Sequence, residues 1–249
     1  MSSVLAENII EEIRILFPGL KYIIENGKNY LKGSLNFRAC YNDCNKEFII
    51  NPSEKNIISD TYIDDKYDIE IEFLRGFPKQ FPLVKEVGGR IQQIAEKYSL
   101  KDVIDLHINK NQNNAICLCP QPAEKLKYPD EINLIHFINH LVVPFFYGLS
   151  YYDKSGSWPW NEYPHGSLGI FEFYGENKEK NDLSLAKICR DGLDEKNKKY
   201  ITSRNVIKGH TLCICGSKEK FRKCHKIALE GIWALRTILN KKNYANDSE

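Results

Sequence analysis

Apolar residues recur with a helical period at the start of the chain and alternate as in strands after it. Near the N-terminus, Leu5, Ile9, Ile13 and Leu16 fall on one side of a helix. This spacing predicts an amphipathic helix whose apolar stripe faces a core. From residue 30 to residue 87 the chain is rich in β-branched and aromatic residues, which favour strands. We therefore expect a helix followed by a sheet.

Four segments carry the strand pattern, and turn-forming sequences separate them. The stretches NPSEKN and IDDK are rich in residues that favour turns. The pattern predicts a four-stranded antiparallel meander and, together with the helices, an α+β fold. The predicted strands are YLKGSLNFRACYN (30–42), KEFIIN (46–51), YDIEIEFL (67–74) and FPLVKEV (81–87).

The second half of the chain is predicted to be helical, after a long loop over residues 101–128. A loop of this length inside a domain is usually functional. A core-facing helix follows, with Pro129 placed to start it and Pro144 to end or kink it. Its apolar positions are Leu134, Phe137, Ile138 and Leu141. The segments beyond it read as an aromatic-rich cap (151–176), a charged linking helix, a last helix and a frayed tail (243–249).

Composition and charge indicate a soluble protein and exclude little else. The chain has 249 residues, 42% of them hydrophobic and 27% charged, with a formal net charge of +2. That charge favours neither a nucleic-acid nor a membrane partner. The longest apolar stretch, LVVPFFYGL, is too short to span a bilayer, and the N-terminus lacks the basic region of a signal peptide. We expect a cytoplasmic location, where the eight cysteines are thiols or metal ligands rather than disulfides.

Three of these cysteines and a histidine form a compact C-x-C-x8-C-H pattern: Cys213, Cys215, Cys224 and His225. Two soft ligands on a tight turn and two more across a short loop can close a tetrahedron around Zn²⁺, with no open position. The alternative is four unrelated buried residues, but this ligand count and spacing favour a structural zinc site.

The surrounding sequence, CICGSKEKFRKCHK, resembles the SEC-C motif, the zinc module at the C-terminus of bacterial SecA. The resemblance covers residues 208–228 and implies a structural zinc and an interaction surface. The module is locally basic, which favours a solvated face over an acidic partner or nucleic acid. Its cations are Lys208, Lys218, Lys220, Arg222, Lys223 and Lys226.

The loop HINKNQNNAICLC (107–119) raises a separate question, since it carries Cys117 and Cys119. A nucleophilic thiol must be partly exposed on a loop that a scaffold holds, and it needs a donor for the oxyanion. Cys117 meets the first requirements, Asn109 offers an amide donor, and His107 can pin the loop by hydrogen bonds. A metal site from the two thiols would need two more ligands, and His107 alone does not complete it.

The same residues resemble the active-site segment of ubiquitin-conjugating (UBC) enzymes, in which His-Pro-Asn precedes a cysteine flanked by Ile and Leu. The family's ten-residue spacing from histidine to cysteine fits His107 and Cys117, and Asn109 falls on its asparagine. The segment GFPKQFPLV (76–84) looks like the family's proline-rich segment. The order of an N-terminal helix, a meander, an active-site loop and a helix also agrees.

Three positions depart from that family pattern. Ile108 replaces the proline, Asn114 replaces the glycine before the cysteine, and Cys119 stands where many relatives carry aspartate. Asn114 still suits a left-handed backbone. Cys119 reads as a passive neighbour, with an auxiliary thiol as the alternative. The segment SWPWNEYPHGSLGIFEFY looks like the bacterial branch of the family, found in CBASS anti-phage operons beside a cGAS-like nucleotidyltransferase.

The resemblance implies a thioester enzyme. Cys117 would accept a protein C-terminus, that of the nucleotidyltransferase, and pass it to a lysine of a target protein. Asn109 would stabilise the oxyanion and His107 would be structural. No phosphate-binding loop surrounds VGGR (87–90), so activation must come from elsewhere. The alternative is a non-catalytic UBC-like and zinc module that docks proteins or nucleic acid.

The expected division is a UBC-like domain (1–175), a linking helix (176–207) and the zinc module with its C-terminal helix (208–249). Other reactive side chains have structural interpretations. Cys40 and Cys44 read as strand and turn thiols, and Cys189 as a buried residue. The remaining candidates read as helix-face residues (His136 and His140) and as cap packing (Trp158, Trp160 and Tyr163).

Overall fold

A computed structural model describes residues 4–56, 59–109 and 113–241 and divides the chain into two compact units. The first unit comprises residues 1–118 and 130–161, and the second comprises residues 119–129 and 162–249. The expected catalytic domain (1–175) therefore runs across both units. The reason is that residues 167–177 form a helix that packs against the C-terminal helix of the second unit.

The fold is mixed α+β, with an antiparallel sheet in the first unit and helices in the second. Its elements in chain order are α1 (Glu7–Leu16), β1 (Leu20–Glu25), β2 (Lys28–Asn42), β3 (Glu47–Ile50), β4 (Ile63–Phe73), β5 (Leu83–Glu86), α2 (Arg90–Lys97), β6 (Ile108–Asn109), β7 (Ala115–Ile116), α3 (Gln121–Lys127), α4 (Leu134–Phe137), α5 (Val143–Ser155), α6 (Ser167–Asn177), α7 (Leu183–Gly192), α8 (Glu195–Thr202), α9 (Phe221–Cys224) and α10 (Lys226–Lys241).

The main sheet differs from the predicted meander in strand count and order. It has five strands in the order β1-β2-β4-β5, and β3 also pairs with β2. Gly33 of β2 pairs with both β1 and β4, while Ala39 pairs with both β3 and β4. Both β1 and β3 therefore lie on the edge of β2 opposite β4. The 15-residue length of β2 is what gives it room for two partners on one edge.

The apolar pattern did not predict β1, although a local signal for it exists. Asn26 and Gly27 both have positive φ, 49° and 79°, and connect β1 to β2. Two such residues form the tight hairpin turn that Asn-Gly favours. The predicted apolar stripe of α1 is partly right: Leu5 and Ile13 are buried, but Leu16 is 49% exposed.

The predicted core helix is continuous from Leu134 to Ser155. Pro144 does not end it, because a π turn over Ile138–Val142 precedes the proline. The predicted core positions Leu134, Phe137, Ile138 and Leu141 are all buried. By length and composition this helix could cross a membrane, but 67% of its most apolar window is buried inside the protein. Packing against β4 accounts for that composition.

A polar network ties β4 to α2 and α5. Arg90 donates to Asp65 at 2.8 Å and to Asp153 at 3.3 Å, and Ser150 Oγ donates to Asp65 at 2.6 Å. Burial acts to raise the pKa of Asp65, but the hydrogen bonds from Arg90 and Ser150 outweigh it and lower the pKa below its usual value. The ionised carboxylate is therefore the form that stabilises the fold.

Replacing Asp65 with asparagine should reduce the free energy of unfolding by about 1–3 kcal/mol at neutral pH. The pKa of Asp65 is lower in the folded than in the unfolded protein. The variant should therefore show its full loss of unfolding free energy above the unfolded-state pKa of about 4. This loss should vanish as pH falls through the folded-state pKa. Urea unfolding across this pH range checks the prediction. The neighbouring Asp64→Asn variant is the control, because Asp64 is exposed and pairs with exposed Arg38; an equal loss in both variants would contradict the network.

The second unit has its own apolar core, in which α6 packs closely on α10. A Cβ added at Gly231 would lie 1.9 Å from the carbonyl oxygen of Phe171, and one added at Gly175 would lie 2.2 Å from that of Ile227. Each glycine thus lets the backbones of α6 and α10 approach. The expected single linking helix (176–207) is instead the two helices α7 and α8. Asp182 and Asp194 cap their N-termini.

The Gly231→Ala variant should lose about 2 kcal/mol of stability. Alanine favours the helix by about 1 kcal/mol over glycine, but the added methyl group overlaps the Phe171 carbonyl and must push α6 and α10 apart. Thr237→Ala, at an exposed position of α10, is the matched control. Thermal unfolding of both variants measures the difference. An unchanged stability of Gly231→Ala would show that α6 and α10 can accommodate the methyl group.

Candidate active-site hairpin and metal centre

The loop that carries Cys117 is a small β-hairpin. Its strands pair Ile108 with Ile116 and Asn109 with Ala115, and the Cys117 N–H donates to the His107 carbonyl at 2.8 Å. His107 and Cys117 therefore face each other across the hairpin. The ten-residue spacing between these two residues in the sequence is the spacing that places them opposite each other in the hairpin.

Backbone geometry explains why asparagines occupy the hairpin. Asn113 and Asn114 have φ of 55° and 58°, in the left-handed region that asparagine tolerates better than most residues. Asn114 is the position where the resemblance has glycine, and its conformation is the one glycine would adopt readily. Residues 110–112 of the loop lie outside the described residues.

Burial separates the thiol of Cys117 from its neighbours. Ala115 and Ile116 are buried, Leu118 is half-buried and Cys117 is exposed. The apolar neighbours thus anchor a segment that presents a sulfur to solvent. Accessibility is the first requirement of a thiol nucleophile.

By strand alternation, we expect Asn109 and Cys117 on one face of the hairpin. Asn109 pairs with Ala115, two residues before the cysteine, and side chains alternate between the faces of a strand. Such diagonal neighbours have Cβ atoms about 7 Å apart, within reach of polar side chains. An amide on Asn109 can therefore approach an oxygen on an acyl group held by Cys117.

The ring of His107 packs edge-on against Trp158, with ring centroids 5.2 Å apart. Trp158 in turn fits over α5 at Gly148, where an added Cβ would lie 2.6 Å from the indole ring. His107 itself adopts a left-handed backbone, with φ of 59°. The aromatic packing fixes the residue whose carbonyl accepts from Cys117. No local sequence pattern predicted this contact.

The second thiol of the motif has different surroundings. Cys119 belongs to the second unit, is half-buried and packs against the apolar core there. The other thiols lie where the sequence predicted: Cys40 is buried in β2, Cys44 is exposed in a turn, and Cys189 is buried in α7. Burial raises the pKa of Cys189 to about 12, which leaves it protonated and unreactive at neutral pH.

The remaining candidates lie on surfaces or in packing. His136 and His140 are exposed on the core helix with ring centroids 4.0 Å apart. Trp160 packs against Tyr147 of α5. Tyr163 belongs to the second unit, where it contacts Phe173.

The predicted metal ligands converge. The ligand atoms of Cys213, Cys215, Cys224 and His225 all lie within 4.8 Å of one another. The sulfurs of Cys215 and Cys224 lie 3.5 Å apart. His225 Nδ1 lies 3.3 Å from the sulfur of Cys213 and 3.1 Å from that of Cys224. A tetrahedral zinc site requires separations of about 3.5–3.8 Å. The three short separations lie within a few tenths of an ångström of these values, and the whole set, within 4.8 Å, can converge on one metal ion.

A tight turn aligns the first two ligands. Gly216 has φ of 87°, its N–H donates to the Cys213 carbonyl at 3.3 Å, and the Cys213 N–H donates to the Glu219 carbonyl at 2.7 Å. Hydrogen bonds from Ser217 lower the pKa of Cys215 to about 6, whereas burial raises the pKa of Cys213 to about 12. A bound cation would favour the thiolate of both.

Compared with protein-family models, curated proteins and solved structures, the chain has no match.

The two candidate sites have different chemical capacities. The hairpin presents one exposed thiol with an amide expected on the same face, which suits acyl transfer. The cluster offers four protein ligands and no position for substrate, which suits a structural ion. The basic residues around it, such as Lys218, Lys220 and Lys223, are exposed.

Proposed function

We propose that this protein is a ubiquitin-conjugating-like transferase. It carries a protein C-terminus as a thioester on Cys117 and passes it to a lysine amine. The observation that carries the proposal is the exposed Cys117 thiol on a short hairpin, paired through its backbone N–H with His107 ten residues earlier. This register matches the spacing of the resemblance. An antiparallel sheet before the hairpin and a buried helix after it support the same fold family.

The proposed reaction has two steps. The Cys117 thiolate attacks the carbonyl of an activated C-terminus, a C–S bond forms, and the activating group leaves with the electron pair. A lysine amine then attacks the thioester, a C–N bond forms, and the C–S bond breaks to restore the thiolate. The ammonium proton passes to solvent. An amide donor from Asn109 to the oxyanion of each step would contribute about 3 kcal/mol.

The proposed acyl donor is the C-terminus of a cGAS-like nucleotidyltransferase, and the acceptor is a lysine on a target protein. The support is the resemblance of the cap sequence to the UBC-like proteins of CBASS anti-phage operons. Conjugation would then prime the synthesis of a nucleotide second messenger in the bacterial cytoplasm. The zinc module, held by Cys213, Cys215, Cys224 and His225, would stabilise the second unit and provide a docking surface.

Co-expression with the proteins encoded beside it tests this function. Intact-mass analysis should find the chain increased by the mass of a partner, and a thiol reductant should release that partner. A stable lysine-linked conjugate should accumulate alongside. A non-catalytic docking module would instead bind a partner without any covalent mass increase, and that result would reject the transferase.

A further inference from the structure

A cavity of about 700 Å³ lies in the first unit, and it includes no residue of the Cys117 hairpin or of the metal centre. Its walls come from the end of α1, from β2, from β3 and the residue after it, and from the core helix over 139–144. Cavities of this size are typical of small-molecule sites, which are mostly apolar with a few well-placed polar groups. The chemistry of the lining therefore indicates the class of ligand.

Aromatic side chains form part of the lining. Tyr41, Phe48 and Trp160 contribute to it, and they also contact one another. The ring centroid of Trp160 lies 5.4 Å from that of Tyr41 and 6.4 Å from that of Phe48, and both contacts are edge-on. Trp160 is half-buried, so packing holds the indole while part of it stays accessible. Rings held in this way suit the packing of a flat aromatic ligand.

Three asparagines, Asn36, Asn51 and Asn139, supply carboxamides to the lining. Within the part of the chain that the structure describes, none of these side chains is hydrogen-bonded to the protein. Asn36 and Asn51 are exposed and Asn139 is half-buried, so a ligand can reach them. A carboxamide presents a donor and an acceptor side by side, and it can pair with a nucleobase edge that does the same.

The charge of the lining narrows the class of ligand further. The described lining contains no lysine, arginine, aspartate or glutamate, and His140 is its one residue that titrates near neutral pH. An anion such as a phosphate would lose water here without gaining a fixed cation, which costs free energy. The lining thus favours a neutral ligand that has both donors and acceptors.

Two unusual backbone conformations lie at this cavity. Asn51 has φ of 50°, in the left-handed region, and the π turn over Ile138–Val142 carries Asn139 and His140. Such conformations cost free energy and are frequent at functional sites. The two conformations belong to separate segments of the chain, and both place carboxamides in the same lining.

We propose that this cavity binds a neutral purine nucleoside, with the base packed against Trp160 and its hydrogen-bonding edge on the carboxamides of Asn51 and Asn139. A purine fits better than a pyrimidine, because asparagine pairs with adenine through two hydrogen bonds and the larger ring system buries more area on the aromatic side chains. The site is independent of the proposed transferase chemistry, so either proposal can fail without the other.

The test is titration of the full-length chain with adenosine, uridine and AMP, followed by calorimetry and by saturation-transfer NMR. Adenosine should bind more tightly than uridine, and AMP should bind no more tightly than adenosine. The Asn51→Gly and Asn139→Ala variants should each bind adenosine roughly 10-fold more weakly. Glycine accepts the left-handed backbone of residue 51 and alanine suits a helix, so both variants should fold.

The matched control is Asn181→Gly. Asn181 also has a left-handed backbone, with φ of 46°, but it lies in the second unit, so this variant should bind adenosine like the wild type. Equal adenosine affinity in the wild type, Asn51→Gly and Asn139→Ala would overturn the proposal, as would a folded wild type that binds no nucleoside at millimolar concentration. Tighter binding of AMP than of adenosine would reject a neutral ligand.

A further probe, p-cresol, represents the side chain of tyrosine. If p-cresol binds as tightly as adenosine, the cavity receives an aromatic side chain of a protein and the nucleoside proposal is wrong. Weak binding of p-cresol together with tight binding of adenosine supports the proposal. Adduct formation on Cys117 should be unchanged in Asn51→Gly and Asn139→Ala, because neither residue belongs to the hairpin.

Discussion

The Cys117→Ala variant should form no reductant-sensitive adduct and no lysine-linked conjugate when it is produced with the partner proteins. This is the largest effect we expect, because the proposed thioester forms on that sulfur and alanine offers no nucleophile. The fold should survive, since the Cys117 side chain is exposed and its backbone N–H, which bonds to His107, is retained. Intact-mass spectra and non-reducing gels report the loss.

Cys119→Ala is the matched control, two residues along the same motif. Its side chain packs against the core of the second unit, so the variant should form adducts at the wild-type level with a small loss of stability. Cys117→Ser should trap the acyl group as an ester that resists thiol reductants. Conjugates formed by Cys117→Ala at the wild-type level would refute the enzymatic proposal.

Loss of the metal should be the second large effect. We expect about one zinc ion per chain in the purified protein, and none in Cys213→Ser. Structural zinc contributes about 10 kcal/mol or more of binding free energy in small modules, and part of that stabilises the fold here. Elemental analysis and unfolding with and without a strong chelator measure both changes.

The control for the zinc prediction is Cys44→Ser. That thiol is exposed in the turn between β2 and β3, far along the chain from the cluster, and its loss should change neither zinc content nor stability. A wild-type protein that is stably folded without metal would refute the zinc site. Equal zinc loss in both serine variants would point to thiol oxidation rather than ligand removal.

Sequence patterns predicted the elements that carry a long, regular spacing of apolar residues. The helix with Leu134, Phe137, Ile138 and Leu141 is the clearest case, since all four side chains are buried. Such patterns did not predict the strand order, because the alternation of apolar and polar residues does not determine which strands pair. The placement of β3 beside β1 depends on the length of β2, which pairs along both of its edges.

For the candidate sites too, sequence patterns predicted what residues close in the sequence form, but not contacts between distant segments. The metal ligands converge because they share one turn and one short loop, so their spacing in the sequence predicted their cluster. The contact of Trp158 with His107 joins distant segments of the chain. No local pattern marks this contact, which depends on Gly148 leaving room for the indole ring of Trp158 on α5.

The pairing of His107 with Cys117 determines how the hairpin responds to insertions and to shifts of register. This pair fixes the register of the two strands. A slip of the pairing by one residue would exchange inward and outward side chains. Ile116 would then meet solvent and the sulfur would turn toward the interior. The exposure of the Cys117 thiol thus depends on the register of the hairpin. A one-residue insertion within β7 would remove that exposure, and with it the reactivity of the thiol, without replacing any side chain.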